Sequence, residues 1–320
     1  MEKESKKTAA RPLVSLCLPT NGVTEWVLPV LDSIYDQGVS PELFEVIVTD
    51  NGKNEAFRKA VTEYAKGREN LIYRKTEAKL FHNQLEALKL GSGEFLKFVN
   101  HRTALLPGSL EAILSLIREN RETKPVIYLS NGALAGDYRG ASFDGFVRHL
   151  GKYASWTTGV GTWKTDYDAM PANVRIDPIS PHSVILFRIR KDREYLIDNR
   201  VLFRELDTGH GQKGTYDLFK AFGVEEVAVT QNLYIDGDIT ADTFKAVKEE
   251  YRRKVSELYL DFCIRKQPCS YDLSGFDDAM GIYFTRGEIL RGARILQGKQ
   301  AVRKLLNRIG GKETGAKRNE

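Results

Sequence analysis

Residues 14–37, VSLCLPTNGVTEWVLPVLDSIYDQ, and residues 44–52, FEVIVTDNG, decide the fold of this chain. The first apolar run stops at Pro19, and the second, which is β-branched, stops at Asp50; both are typical of buried parallel strands that end in loops. Between them, Thr24 is expected to cap a helix. The apolar residues of that helix recur at helical spacing and are Trp26, Val27, Val30, Leu31 and Ile34. The stretch predicts a strand-helix-strand unit.

The same alternation continues to residue 130. It predicts further helices near residues 54–67, 79–90 and 107–120, and further strands at residues 71–74, 94–99 and 126–129. This pattern indicates an α/β fold with a mostly parallel, Rossmann-like sheet and helices on both faces. Ligands bind beyond the carboxyl ends of the strands in such sheets, which directs attention to residues 19–22, 50–52 and 100–103.

The alternation fails after residue 130. Residues 131–182 are rich in Gly, Asp and aromatic residues and predict loops and short strands. A strand is expected at Ser183–Phe187, then a polar stretch, then a helix that starts near Tyr216. Residues 241–308 predict helices, interrupted around Pro268 and Ser270.

Composition excludes several classes of protein. The 320 residues are 42% hydrophobic and 28% charged, which is ordinary for a globular protein and excludes a disordered or fibrous chain. No apolar run approaches the roughly 18 residues of a membrane-spanning helix, and the first twelve residues lack the apolar segment of a signal peptide. We therefore expect a cytoplasmic protein. The three cysteines show no paired spacing for zinc.

The charge is unevenly distributed. Residues 286–320 hold ten Lys or Arg against three acids, whereas the whole chain has a net charge of +5. Apolar residues recur among these basic ones, a composition typical of a helix at an anionic membrane surface. The alternative is an amphipathic helix packed on its own domain. The tail lacks the interleaved aromatic residues of single-strand binding proteins, which disfavours nucleic acid as a partner.

Four blocks in register resemble family 2 glycosyltransferases, the nucleotide-sugar transferases of GT-A fold. They are the two segments quoted first, HNQLEALKLGSGEFLKFVN at 82–100 and LLPGSLEAIL at 105–114. The resemblance is good over residues 13–120 and thins to scattered matches near residue 225. It implies a nucleotide-sugar-binding half at 13–130 and an acceptor-binding and catalytic half at 131–240. Composition and helical pattern predict a disordered arm at 1–12, C-terminal helices at 241–308 and a disordered basic tail at 309–320.

The resemblance also locates the family's aspartate-rich metal motif, directly after Val99. Asn100, His101 and Arg102 stand there instead. Because Arg102 is permanently cationic, it cannot coordinate a metal, but its planar fork can bind a diphosphate. We expect these three residues, with Lys213 from a glycine-rich loop, to contact the diphosphate. No cofactor is assigned, and the degenerate motif leaves Mn²⁺ or Mg²⁺ open.

The nucleotide itself is expected at the ends of the first two strands. The family uses an aspartate at the position of Asp50 to accept a hydrogen bond from the base, and Asn51, Thr20 and Asn21 would line the same pocket. An Asx turn that closes the strand needs the same residues and is the alternative for Asp50.

A catalytic base is expected between residues 207 and 217. Inverting members of the family use an aspartate to take the proton of the acceptor hydroxyl. The candidates here are Asp217, Asp207 and His210, in that order. A carboxylate at a helix terminus is the structural alternative for Asp217, and an exposed loop histidine for His210.

Aromatic residues beside a glycine-rich run suit stacking on sugar rings. On this ground Trp156 and Trp163, with His182, are candidates for the acceptor site, although the same cluster could be core beneath a loop.

These features together predict a metal-independent or weakly metal-dependent glycosyltransferase. It would move a sugar from a nucleoside diphosphate sugar to a hydroxyl acceptor with inversion. The family resemblance implies a glycan or lipid-linked acceptor in surface polysaccharide assembly, at the inner face of a membrane. The alternatives are a catalytically inactive protein of the same fold that binds nucleotide sugars or glycans, and a transferase that acts on nucleic acid.

Overall fold

Strands and helices alternate over residues 13–130 as the sequence predicts. The computed structural model describes residues 11–171, 174, 176, 178–207 and 214–313, with side chains as far as residue 303. The chain divides into two compact units: residues 1–208 with 236–240, and residues 209–235 with 241–320. The boundary expected at residue 130 lies inside the first unit, and the expected second half, residues 131–240, is divided between the two units.

The first unit holds the expected strand-helix alternation and a less regular second part. Its elements are β1 Val14–Thr20, α1 Thr24–Tyr35, β2 Phe44–Asp50, α2 Glu55–Ala65, β3 Leu71–Lys75, α3 Asn83–Leu90, β4 Phe95–Phe98, β5 Thr103–Leu105, α4 Ser109–Glu119, β6 Val126–Leu129, β7 Tyr138–Gly140, α5 Phe143–Leu150, β8 Gly161–Trp163, α6 Lys164–Asp168, α7 Pro181–Leu186, β9 Tyr195–Asp198 and β10 Phe203–Glu205.

The main sheet has the order β3-β2-β1-β4-β8. β1, β2, β3 and β4 are parallel, whereas β8 runs antiparallel to β4. Helix α1 buries the five apolar residues that the sequence selects for it. Four of them, Val27, Val30, Leu31 and Ile34, join strand residues and part of α4 in one hydrophobic core, because they lie on the inward face of the helix.

Two smaller sheets complete the first unit. β9 lies between β6, to which it is parallel, and β7, to which it is antiparallel. β5 pairs with β10 in an antiparallel ribbon. The sequence does not predict β9 or β10, because each is short and each contains charged residues.

Two local predictions are wrong. Residues 183–187 are not a strand: residues 183–186 belong to α7, which begins at Pro181, and Phe187 is the C-cap of that helix. A short apolar run does not separate strand from helix by periodicity, whereas a proline fits the first turn of a helix. Thr24 is not the cap of α1 either, since Val23 takes the extended conformation before the helix and makes no side-chain cap.

The second unit is helical. Its elements are α8 Leu218–Lys220, a π-helical turn at Ala221–Glu225, α9 Glu226–Ile235, α10 Ala241–Leu258, a second π-helical turn at Tyr259–Ile264, α11 Phe276–Ala279 and α12 Arg286–Glu313. The expected interruption around Pro268 is confirmed. No helix in the described ranges combines the length and the apolar character that crossing a bilayer requires.

Candidate functional site

Three strand ends meet at one edge of the main sheet. β1 is parallel to both β2 and β4, and Thr20 stands opposite Asp50 in the first pair. The loops at residues 19–22, 50–52 and 100–103 therefore leave the sheet at the same edge, as predicted.

The first two of these loops touch through their backbones. The Asn51 amide donates to the Thr20 carbonyl at 3.1 Å. A Cβ atom on Gly52 would lie 1.9 Å from the carbonyl oxygen of Asn21, so that only glycine fits there. Thr20 is buried and its Oγ1 accepts from the Gly22 amide at 3.1 Å, whereas Asn21 is exposed at the rim.

Asp50 has internal partners for both carboxylate oxygens. Its Oδ1 accepts from the Gly52 amide at 2.7 Å, which is an Asx turn, and its Oδ2 accepts from the Tyr73 hydroxyl at 3.0 Å. Burial, and then the hydrogen bond to Asp50, raise the pKa of Tyr73. Asp50 itself is only 1% exposed. A contact between Asp50 and a base stays a prediction, and one that would compete with these two bonds.

Two asparagines brace the same edge. Asn51 donates through Nδ2 to the carbonyls of Ala78 and Leu80, at 2.9 and 3.0 Å. Asn83, which sequence reasoning missed, is buried and donates to the carbonyls of Thr20 and Thr49, at 3.0 and 2.8 Å. The sequence signal for Asn83 is weak, because the helix that it begins contains other polar residues as well.

His101 is directed at the first loop. Its Nδ1 is hydrogen-bonded to Thr20 Oγ1 at 2.9 Å, and its ring packs edge-on against Trp26 with centroids 5.0 Å apart. Burial, and then the charge of Arg102, lower the pKa of His101 to about 3. The ring is neutral at physiological pH, so it brings no positive charge to a diphosphate.

Arg102 presents a cation with unused donors. Its Nε and Nη1 atoms are buried, and no acceptor within the described part of the chain is in hydrogen-bond geometry with either. Glu205 Oε2 lies 3.6 Å from Nε, beyond hydrogen-bond distance, and the Glu205 side chain is 56% exposed. The Arg102 carbonyl accepts from the Leu206 amide at 2.8 Å, which ties the turn to β10. A guanidinium that is positioned but not saturated is suited to bind a further anion.

Residues 100–102 do not fit a divalent cation. The Asn100 Oδ1 accepts from the Arg102 amide at 3.2 Å, and the Nδ1 of His101 is occupied by Thr20. Mg²⁺ and Mn²⁺ favour carboxylate oxygens, which this turn lacks. Throughout the described ranges no three His, Cys, Asp or Glu side chains are grouped so that they could hold a metal ion.

The three candidates for acceptor binding differ in how deeply they are buried. Trp163 is a core residue, 2% exposed, with its indole Nε1 donating to the Pro125 carbonyl at 2.8 Å; its assignment to an acceptor surface is wrong. Trp156 is half-buried, 6.1 Å from the ring of Phe203. His182 is buried, with Nε2 3.0 Å from the Ser155 carbonyl, and burial lowers its pKa to about 4. Of the three side chains, only Trp156 keeps substantial exposed surface.

The candidate bases fall in different places. Asp207 is exposed in the first unit and follows Leu206, whose amide is bonded to Arg102. Asp217 lies in the second unit, where its Oδ1 accepts from the Lys220 amide at 2.9 Å and caps α8. This is the helix-terminus role that the sequence also allows. His210 and Lys213 lie outside the described residues.

The first part of the chain matches a known protein family. Residues 15–168 match the model of the family described as glycosyl transferase family 2. No curated protein matches the chain.

Solved structures share the fold at low identity. S. aureus TarS 1–349 in complex with UDP is 15% identical, with 87% of this chain and 80% of that chain covered and a TM-score of 0.52. The mannosyltransferase PcManGT from Pyrobaculum calidifontis, in complex with GDP-Man and Mn²⁺, is 16% identical, with 91% and 80% covered and a TM-score of 0.52. A further TarS 1–349 structure, at 13% identity and a TM-score of 0.50, is covered over 65% of its length, with 68% of this chain. The family match identifies residues 15–168 as a glycosyl transferase family 2 domain, and these likenesses, together with the parallel sheet, show the GT-A fold.

Proposed function

We propose that the chain transfers a sugar from a nucleoside diphosphate sugar to a hydroxyl acceptor without a divalent cation. The observation that carries the proposal is the Arg102 guanidinium, which has two buried nitrogens without acceptors in the described ranges and follows the end of β4. The UDP and GDP-Man complexes of TarS and PcManGT support a nucleoside diphosphate as the donor's carrier.

The chemistry is a single displacement. The acceptor oxygen attacks the anomeric carbon as its proton passes to a carboxylate, and the nucleoside diphosphate leaves with the electrons of the broken bond. This step inverts the anomeric configuration. Negative charge grows on the leaving diphosphate, and a fixed guanidinium beside it lowers the barrier without reorganising. At about 4 Å and an effective dielectric near 20, two unit charges attract by about 4 kcal/mol.

Calorimetry with UDP, GDP, UDP-GlcNAc and GDP-Man, with and without EDTA, tests this proposal. We expect binding of at least one pair to survive EDTA, and release of its nucleoside diphosphate to continue. Activity that disappears in EDTA and returns with Mn²⁺ would contradict metal independence. Tight binding with no turnover on any acceptor would favour the inactive, nucleotide-sugar-binding protein.

We place Asp207 ahead of Asp217 as the base. Asp207 follows the residue bonded to Arg102, whereas one oxygen of Asp217 caps α8 and the other faces Gly275. Asp207→Asn is expected to lower turnover by about 10²-fold or more with donor affinity unchanged. Because asparagine caps a helix as well as aspartate does, Asp217→Asn should keep both activity and stability. The reverse result would restore Asp217 as the base.

The acceptor is proposed to be a glycan or a lipid-linked glycan in surface polysaccharide assembly, as the family resemblance implies. Peripheral contact with an anionic membrane fits the outer face of α12. Ile295 and Val302 are 52% and 58% exposed there, among exposed Arg294 and Lys299, whereas Ile289 is fully buried.

Sedimentation with anionic and neutral liposomes tests the membrane contact. Ile295→Ser with Val302→Ser should release the protein from anionic vesicles and leave the buried face of α12 intact. Equal sedimentation of this variant and the wild type would exclude the helix as the membrane contact.

A further inference from the structure

Lys97 is a buried lysine in an otherwise apolar strand. It lies in β4, is 1% exposed, and no carboxylate in the described part of the chain is bonded to it. Its Nζ donates instead to three backbone carbonyls: those of Phe98 at 2.8 Å, Thr158, and Val160 at 3.4 Å. Three acceptors match the three donors of an ammonium. Burial lowers the pKa of Lys97 to about 7, because the charged form loses its hydration in the core.

The carbonyls belong to a segment that also holds the Arg102 turn. Thr158 accepts from Lys97 through its carbonyl and from the Asn100 amide through its Oγ1, at 3.2 Å. Asn100 Oδ1 in turn accepts from the Arg102 amide at 3.2 Å. A continuous chain of hydrogen bonds therefore runs from the lysine to the backbone of Arg102.

Lys97 also contacts β10, the strand next to the residue that donates to the Arg102 carbonyl. The Lys97 Nζ lies 5.4 Å from the centroid of the Phe203 ring, in cation–π range. Phe203 begins β10, and the amide of Leu206, just after that strand, donates to the Arg102 carbonyl at 2.8 Å. The ammonium therefore contacts two segments that support Arg102. Residues 158–160 are linked through Asn100 to the Arg102 amide, and β10 is followed directly by the residue that donates to the Arg102 carbonyl.

We propose that Lys97 is a positioning residue for the donor diphosphate, which fixes the Asn100–Arg102 turn by tying residues 158–160 and β10 to the end of β4. The inference rests on the proposed function, because it assumes that Arg102 binds the diphosphate. Lys97 does not touch the donor; it sets the direction in which the guanidinium of Arg102 is presented.

Lys97→Met removes the ammonium and keeps most of the buried stem. Leu96→Met, on the same strand but the opposite face and equally buried, is the matched control for a change in the core. With UDP and GDP as probes in calorimetry, we expect Lys97→Met to weaken binding of the preferred nucleotide about tenfold and the control to leave it unchanged. Hydrogen exchange of the Asn100 amide should accelerate in Lys97→Met only.

A double-mutant cycle separates positioning from general loss of stability. In an Arg102→Ala background, Lys97→Met should cause no further loss of nucleotide affinity, because the lysine acts through the arginine. An equal loss in both backgrounds would overturn the inference. If Lys97→Met fails to fold, Thr158→Val tests the chain of hydrogen bonds instead. This variant keeps the lysine, removes the acceptor of the Asn100 amide, and should reproduce the tenfold loss of affinity. Unchanged affinity in Thr158→Val would overturn the inference.

The outcomes distinguish the inference from the proposed function. Wild type that binds the probe while Lys97→Met binds it equally well would overturn the inference and leave the function standing. Wild type that binds neither probe would contradict the function, and the exchange rate of the Asn100 amide would then test the positioning alone: an unchanged rate in Lys97→Met rejects it.

Discussion

Two parts of the same sheet edge differ in how their polar groups are satisfied. At the ends of β1 and β2, the side chains of Thr20, Asp50 and Asn51 each have hydrogen-bond partners inside the protein. At the end of β4, Arg102 has two buried nitrogens with no acceptor in the described ranges. The first part is complete without a ligand, whereas the second has hydrogen-bonding capacity left for an anion.

This difference suggests a division of labour. The self-satisfied loops form a rigid wall whose shape, more than any single side chain, would select the nucleotide. The arginine would supply the charge that stabilises the transition state. Substitution of Arg102 should therefore change mainly turnover, and substitution of Asp50 mainly thermal stability.

The largest effect is expected at Arg102. Arg102→Ala should lower turnover by about 10²- to 10³-fold, the usual scale for a lost electrostatic donor, with thermal stability nearly unchanged. Arg102→Lys should recover little, because a point charge does not reproduce the planar fork. Arg204→Ala, an exposed arginine on the opposite face of β10 from Glu205, is the control. Full turnover in Arg102→Ala would remove the distinction between the two parts.

Acid should destabilise the fold through the buried histidines. The folded-state pKa values of His101 and His182 are about 3 and about 4, against 6.5 for an ordinary histidine. Between these values the unfolded chain binds more protons, so the free energy of unfolding falls as pH drops below about 6.5, by about 1.4 kcal/mol per pH unit for each histidine.

His101→Phe should remove its share of that slope. Between pH 7.5 and pH 4.5, denaturant titrations should show about 3 kcal/mol less loss of stability in this variant than in wild type. His149→Gln, on the exposed face of α5, is the control for a histidine in solvent. Equal slopes in wild type and His101→Phe would mean that His101 is solvated in the folded protein.

Asp50→Ala should act mainly on stability. It leaves the Gly52 amide and the Tyr73 hydroxyl without their acceptor, which costs about 1–3 kcal/mol in the free energy of unfolding. Thermal melts and nucleotide calorimetry on one preparation compare the two effects. A large loss of affinity with an unchanged melting temperature would favour direct contact with the base.

The smallest effect is expected at Glu205. Its carboxylate lies 3.6 Å from Arg102 Nε and makes no hydrogen bond to that atom. Glu205→Gln should therefore free the guanidinium and tighten nucleotide binding. The gain should be about fivefold at most, because a half-exposed ion pair is worth about 0–1 kcal/mol. Weaker binding in Glu205→Gln would show instead that the pair orients the arginine.

The sequence predicts the first 130 residues well, because long periodic helices and apolar strands there agree with each other. The inward residues of α1 and the meeting of three strand ends are examples. The prediction weakens where elements are short: the apolar run at 183–187 reads equally as strand or helix, and β9 is four residues long.

The candidate site was predictable in position more than in detail. Parallel strand order places Thr20, Asp50 and Arg102 at one edge. Which of their atoms remain unpaired depends on partners distant in sequence, such as Tyr73 for Asp50 and Glu205 near Arg102. Trp163 illustrates the same limit: whether a tryptophan beside glycines meets a ligand or the core is decided by β4, to which its strand pairs.

The sheet order also bears on how copies of this protein behave at high concentration. β3 is the outer strand of the main sheet, and its last two residues, Arg74 and Lys75, are exposed. Charged side chains on an outer strand oppose the addition of a strand from another molecule, because pairing would bring like charges together. The outer strand β3 is thus protected against pairing with a strand of another molecule by the charged side chains that it carries.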